Sequence, residues 1–446
     1  MGNPHVLVIS LPTQGHIIPT MELSRCLVKH GVKITVVNTD FTHKLVVNAL
    51  LTEVDTADFI RLVSFPLDQF NDIFVSMPGK VKELIEQTNA SDSDDDDKIT
   101  CVVADGILPW ALEIAAEMGI RRASFCTYAA TMLNSVSSIP KLIEDGIINH
   151  DGAPTKEQMV QLSPTMPSMN TSDFLWVNRG VLESEKVFFE YALRNIRSIN
   201  LSDWVLCNSA YNLEPGAFDM NPKILPIGPL LASNRSENST GSFWPEDLSC
   251  LKWLDQQATQ SVVYVAFGSS TLFDQTQFQE FATGLELSKR QFLWVLRPDI
   301  AEKLDDASIK GFQERVGTRG CVISWAPQQK VLEHPSIACF LSHCGWNSTI
   351  ESLSNGVPLL CWPFVADQFH NENYICNFWK VGLGLKRDNK RGMTTCEEIK
   401  NKMDELLENE TYKTNAVNLK EQIINSIKEG GSSSNNFKSF VEWLKV

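Results

Sequence analysis

The chain has 446 residues, 43% hydrophobic and 21% charged, with 54 acidic against 39 basic residues and a formal net charge of −15. That length and apolar content suit two large α/β domains, and the acidic balance argues against a nucleic-acid or anionic-membrane partner, which needs a basic face. The eleven cysteines include no C-x-x-C pair, which points to free thiols in a reducing, cytoplasmic setting and away from a disulfide framework or a zinc site.

The N-terminus, MGNPHVLVISLPTQGH, has a short apolar run and no basic flank, so His5 to Leu11 is read as a buried strand and not as a signal peptide. Val6 stands where a myristoylation pattern needs Ser or Thr, and no stretch approaches the ~18 apolar residues of a membrane span. Residues 21–30, MELSRCLVKH, place Leu23, Cys26 and Leu27 on one helical face. Gly31 ends that helix and KITVVN (33–38) gives a second strand. The run SDSDDDDK at 91–98 contains D-x-D, a manganese signature elsewhere, but its uniformly charged flanks mark it as a solvated loop. ITCVVA (99–104) is another buried strand, followed by an amphipathic helix over 109–120. Such alternation predicts a doubly wound parallel sheet.

Two titratable residues follow these strands. Gly15 permits a tight turn, which leaves His16 at the carboxyl end of the first strand, and Asp105 falls in the ADG turn after 99–104. Strand ends in one sheet converge on one edge, so the two can meet. Imidazole suits proton acceptance near neutral pH, and a carboxylate can fix its tautomer. The alternatives are a turn histidine without a role and a carboxylate that merely favours the dipole of helix 109–120.

Around 231–249 the composition turns polar and rich in Gly, Pro and Ser, which reads as a linker. Beyond it the alternation restarts, with strands over 261–267, 291–296, 320–324, 337–342 and 358–361. The predicted division is 1–236, 237–430 and a terminal helix over 431–446 that packs back on the first domain. In open α/β sheets ligands sit beyond the carboxyl ends of the strands, and two such edges facing each other make a cleft.

The most informative stretch is 325–368, WAPQQKVLEHPSIACFLSHCGWNSTIESLSNGVPLLCWPFVADQ. Strand IACFLS enters the turn HCGWN, and a helix begins near Ser348. A glycine-containing turn feeding a helix N-terminus is an anion site, to which His343, Asn347 and Ser348 can add donors. Neither a Walker lysine nor G-x-G-x-x-G is present, and GLGL at 382–385 lacks the third glycine. Read alone, Ser348 and Glu351 also form a capping box, with Ser348 as N-cap and Glu351 at N3. Trp325 and Trp346 fit ordinary core positions equally well.

This 44-residue box, together with the N-terminal Gly15-His16, the FGS at 267–269 and the terminal helix, resembles plant family 1 UDP-dependent glycosyltransferases. The resemblance covers the whole chain. It implies the α/β GT-B fold, two facing Rossmann-like domains with an acceptor site in the first and a UDP-sugar site in the second. It implies that Trp325 stacks on uracil, with Ala326 and Gln328 beside the base and ribose, and that Glu351 accepts the ribose hydroxyls. His343, Gly345, Asn347 and Ser348, with Gly268 and Ser269, are implied to hold the diphosphate, and Trp346, Asp367 and Gln368 to contact the sugar. A closing glutamine goes with glucose donors in that family. His16 is implied as the base and Asp105 as its partner, with no metal or other cofactor, UDP-glucose as co-substrate and a small lipophilic acceptor. The apolar segments 66–80 and 130–190 are the candidate acceptor loops. The rival readings are a nucleotide-sugar epimerase, a nicotinamide oxidoreductase and a non-catalytic binder; the missing dinucleotide fingerprint and the presence of both His16 and Asp105 weigh against them.

Overall fold

In the first hundred residues of the computed structural model, strand β1 (His5–Ile9) is buried at every position. The alternation of its side chains explains why its sequence is apolar from Val6 to Ile9. Val6 and Val8 face a core that includes Leu23, Leu27 and the terminal Phe440, whereas Leu7 and Ile9 face another with Val81, Ile85 and Leu112. The structure describes residues 4–50, 59–67, 69–90, 97–177, 182–231, 244–388 and 391–446. Most of the acidic run 91–98 and of the polar stretch 231–249 lies outside them. Asp97, at the end of the acidic run, bonds the Lys33 ammonium.

β1 pairs in parallel with β2 (Lys33–Thr39), which continues to β3 (Ile60–Phe65). On its other side lies β4 (Cys101–Asp105), followed by β5 (Arg121–Cys126). A two-stranded ribbon, β6 (Met159–Val160) and β7 (Met169–Asn170), stands apart from the sheet. The sheet then ends with β8 (Trp204–Cys207) and β9 (Ile224–Pro226), giving the order β3-β2-β1-β4-β5-β8-β9. The second sheet contains β10 (Val262–Ala266), β11 (Gln291–Val295), β12 (Gly320–Ile323), β13 (Ile337–Ser342), β14 (Leu359–Cys361) and β15 (Gly382–Gly384). Its order is β12-β11-β10-β13-β14-β15, with every pairing parallel. GLGL at 382–385 is therefore an edge strand and not a nucleotide loop. The aromatic core of this sheet includes Phe267, Phe281, Trp294 and Trp362.

The chain divides into two compact units, 1–243 with 425–446, and 244–424. The second unit thus starts seven residues later than the predicted 237 and stops short of 430. The terminal helix Ser432–Lys445 buries Phe437, Phe440, Val441 and Leu444 in the first unit's core. Its hydroxyl and amide donors reach that unit as well, Ser433 Oγ bonding Gly228 O at 2.7 Å and Asn436 Nδ2 bonding Pro226 O at 2.9 Å. Gly431 is its N-cap, and Ser432, Ser433 and Ser434 lie inside the helix.

Two local readings need correction. The helix predicted over 21–30 begins at Gln14 and runs to Val28, because His16 N and Ile17 N already bond Thr13 O at 3.0 and 2.9 Å. His16 is therefore in the first helical turn, and Pro19 removes a single donor from the ladder without breaking it. The helix expected to begin near Ser348 begins at Trp346, with Gly345 as N-cap.

Candidate active site

In the first unit the strand order reverses between β1 and β4, the position where open parallel sheets bind ligands. His16 comes from the helix after β1, and Asp105 is the last residue of β4. The Asp105 carboxylate is buried. Its Oδ1 accepts the Ile107 N–H at 3.0 Å, and its Oδ2 lies 2.5 Å from His16 Nδ1. A carboxylate accepts, so Nδ1 carries the proton and Nε2 keeps its lone pair. The His16 side chain remains 20% exposed, which leaves the ring reachable. Thr127 Oγ1, just past the end of β5, lies 3.1 Å from the same Nδ1. The sequence reading missed Thr127, although its place after a buried strand put it on the same sheet edge. Asp105 sits in the strand itself and two residues from the backbone N–H it accepts, so it is fixed by local structure as well as by His16.

In the second unit the reversal falls between β10 and β13. Gly268 follows β10 with φ +65°, and His343 follows β13. The imidazole is clamped there. A Cβ on Gly268 would lie 2.4 Å from His343 Nε2, and one on Gly345 2.5 Å from it. Burial, and then the charge of Arg297, push the His343 pKa down to about 4, so the ring is neutral near pH 7. Its Nδ1 is buried and has no hydrogen-bond partner among the described residues. Cys344 between them takes φ +64°, a strained backbone for a residue with a Cβ.

The helix Trp346–Ser354 has no side-chain cap, and its first turn opens directly at Gly345 beside the His343 ring. The capping-box reading fails here. With Gly345 as N-cap, Ser348 is at N3 and Glu351 lies further along the helix. The Glu351 carboxylate instead receives Gln328 Nε2 at 2.6 Å and Gln329 Nε2 at 3.0 Å, while Gln328 Nε2 also reaches Ser348 Oγ at 2.9 Å. Tyr264 on β10 donates its hydroxyl to Gln328 Oε1 at 3.2 Å. Gln329 and Tyr264 were absent from the sequence reading; Gln329 stands inside the 325–368 box and Tyr264 in a buried strand, and nothing in either pattern singles them out.

Trp325 is half-buried and packs against Trp244, ring centroids 4.8 Å apart. Trp346 is core: its indole is buried beside Trp379, ring centroids 6.4 Å apart. Ala326 is likewise buried, and Ser269 is half-buried in the turn after Gly268. Asp367 accepts Asn371 Nδ2 at 2.8 Å, and Gln368 Oε1 accepts the N–H groups of Phe364 and Val365 at 2.7 and 3.0 Å. The Gln368 amide is thereby oriented with its oxygen spent on the backbone. Of the two apolar segments expected to line an acceptor, much of the second is core, with Phe174 and Trp176 buried and stacked 5.0 Å apart. Phe70 and Val75 in the first segment are exposed.

Comparison with known proteins accounts for this arrangement. The sequence model of the family described as UDP-glucoronosyl and UDP-glucosyl transferase matches residues 235–424. UDP-glycosyltransferase 83A1 of Arabidopsis thaliana is 44% identical, over 100% of this chain and 97% of its own length. Linamarin synthase 1 of Manihot esculenta is 32% identical over 98% and 96%. Among solved structures, Phytolacca americana UGT2, complexed with UDP-2fluoro-glucose and pterostilbene, has a TM-score of 0.81 at 26% identity and covers 99% of both chains. Os79 from O. sativa, in complex with UDP, has a TM-score of 0.79 at 25% identity, over 98% of this chain and 100% of that one. With these full-length matches and two parallel-sheet units, the chain belongs to the UDP-glucoronosyl and UDP-glucosyl transferase family, as a plant family 1 UDP-glycosyltransferase of the GT-B fold.

Proposed function

We propose that the enzyme transfers glucose from UDP-glucose to a hydroxyl of a small lipophilic acceptor, with inversion, using His16 as general base and no metal ion. The single observation that carries the reading of the base is the 2.5 Å contact between His16 Nδ1 and the buried Asp105 carboxylate. It fixes the tautomer in which Nε2 accepts a proton, and the carboxylate stabilises the imidazolium that results. The acceptor oxygen attacks the anomeric carbon as its proton passes to Nε2. The bond from that carbon to the diphosphate breaks, and its electron pair leaves with UDP. An α-linked donor gives a β-glucoside.

The donor assignment rests on the second unit. Trp325 stacks on uracil, and Glu351, already gathered with Gln328 and Ser348, takes the ribose diol. Developing charge on the diphosphate meets Ser269, Asn347, the first-turn N–H groups of helix Trp346–Ser354 and the clamped, neutral His343, an array of fixed dipoles that needs no cation. Gln368 and Asp367 contact the sugar, and glutamine at the end of the box favours glucose. The acceptor class follows the relatives, which include a linamarin synthase, a 7-deoxyloganetin glucosyltransferase and a structure holding pterostilbene. The eleven cysteines without a C-x-x-C pair suit a reducing, cytoplasmic setting.

The test is a mass-spectrometric screen in EDTA that pairs UDP-glucose, UDP-galactose and UDP-glucuronate with mixed phenols and terpenoid alcohols. A gain of one hexose from UDP-glucose is expected. Transfer that stops in EDTA and returns with manganese would overturn the metal-free reading, and preference for another sugar would overturn the donor.

A further inference from the structure

Trp244 opens the second unit and lies outside the 325–368 box, yet it is held on two sides. Its ring meets Trp325 at 4.8 Å with a 36° tilt, and the Arg297 guanidinium carbon lies 5.6 Å from its centroid. Three residues on, Asp247 N donates to Trp325 O at 2.9 Å, so the segment is tied to the Trp325 backbone as well as to its ring. Arg297 is buried, and its donors are engaged elsewhere. Nη1 bonds Gly268 O at 2.7 Å and Thr271 O at 3.0 Å, while Nε and Nη2 grip both oxygens of Asp299 at 2.9 and 2.8 Å.

We infer that Trp244 and Arg297 form a positioning strut for the nucleotide, running from the Gly268–Thr271 turn to the face of Trp325; the inference rests on reading Trp325 as the base-stacking residue. Trp325 sits in a stretch without regular secondary structure, where a half-buried indole would otherwise sample several rotamers. Holding the ring in place before the nucleotide arrives removes an ordering cost from binding. Arg297 suits the other end because a planar fork can lock a turn through its carbonyls and stack on an aromatic face at once. Neither residue touches the nucleotide. Both act through residues that do: Trp244 through Trp325, and Arg297 through the turn at Gly268.

Calorimetric titration of UDP and of uridine into the wild-type enzyme, Trp244→Ala, Trp244→Phe, Arg297→Lys and Trp325→Ala tests this. Trp244→Ala is expected to weaken both ligands about 3- to 10-fold, the range of an aromatic pair. The loss should appear in full with uridine, because it arises at the base. Trp244→Phe should restore most of the affinity, and the KM for the acceptor and the unfolding temperature should stay at wild-type values. Arg297→Lys should weaken UDP, and combined with Trp244→Ala it should cost less than the product of the two single effects, since both cut one strut. Should Trp244→Ala fail to fold, Trp244→Leu replaces it, keeping bulk without a stacking face, with the same loss expected. Wild-type affinity for UDP and uridine in Trp244→Ala, alongside a clear loss in Trp325→Ala, would overturn the strut alone. Wild-type affinity in Trp325→Ala would instead remove the base-stacking assignment beneath it.

Discussion

Gly268 shows how closely single residues are constrained at the second unit's sheet edge. Its φ of +65° already disfavours any side chain, and a Cβ would fall 2.4 Å from the His343 ring, itself pressed from the other side by Gly345. Gly268→Ala is therefore expected to displace His343 and lower UDP affinity at least tenfold, as read by titration, while acceptor KM is unchanged. Histidine titration gives a second residue-scale expectation. Burial holds both His343 and His370 at about 4, against 6.5 for an exposed ring, and neither His370 ring nitrogen has a partner among the described residues. Between pH 6.5 and 4 the unfolded chain takes up protons that the folded one refuses, so stability is retained above that window and lost as pH falls through it, by up to roughly 3 kcal/mol per histidine. His370→Leu should flatten the fall in unfolding temperature between pH 7 and 4.5; an identical slope in variant and wild type would show that the ring is not the titrating group. The residue placements legible in the sequence were those at strand ends, His16, Asp105 and His343, since a buried strand announces where its edge lies. Thr127 shares the strand-end signal and was passed over, whereas Gln329 and Tyr264 were not legible because each acts through a side chain of another element, Glu351 and Gln328.

Helices were harder to read than strands, and for a physical reason. A strand covered on both faces is apolar at every position, so β1, β4, β10 and β13 stand out. Helix starts depend on one or two residues, and two misleading signals occurred here. Gly15 was read as a tight turn, which left 14–20 outside the helix, and Ser348 with Glu351 mimicked a capping box. In the structure Glu351 is drawn instead to two glutamine amides from the neighbouring helix Gln328–Glu333. A remote cap governs the helix Ala130–Ser137, whose own N-cap, Ala129, offers no side-chain acceptor. The buried Glu214 carboxylate accepts the N–H groups of Ala130 and Thr131 at 3.0 and 2.8 Å, and the hydroxyls of Thr131 and Ser209 at 2.7 Å each. Glu214→Gln would place an amide donor among those donors. It is expected to cost about 1–3 kcal/mol, visible as a lower unfolding temperature with unchanged UDP affinity. The terminal helix carries its own test. Phe440 is fully buried between the sheet and Trp204, and Phe440→Ala should lose roughly 3–5 kcal/mol; a loss below 1 kcal/mol would mean the helix is only loosely attached.

At the scale of the whole chain, the same device is used twice. Each unit reverses its strand order once, between β1 and β4 and between β10 and β13, and each reversal gathers the residues to which chemistry is assigned. Alternating apolar runs and the restart of the pattern after 231–249 made this division legible in the sequence. The exact boundary was not, because a polar linker has no periodicity, and the last 22 residues (425–446) return to the first unit. Sugar transfer as proposed turns on His16 as its base. The most direct measurement compares UDP-glucose turnover and UDP affinity in His16→Ala and wild type, with the acceptor found in the screen. General-base action predicts a fall in kcat of ~10²–10⁴-fold with UDP affinity within twofold of wild type. Turnover by His16→Ala equal to wild type would contradict it.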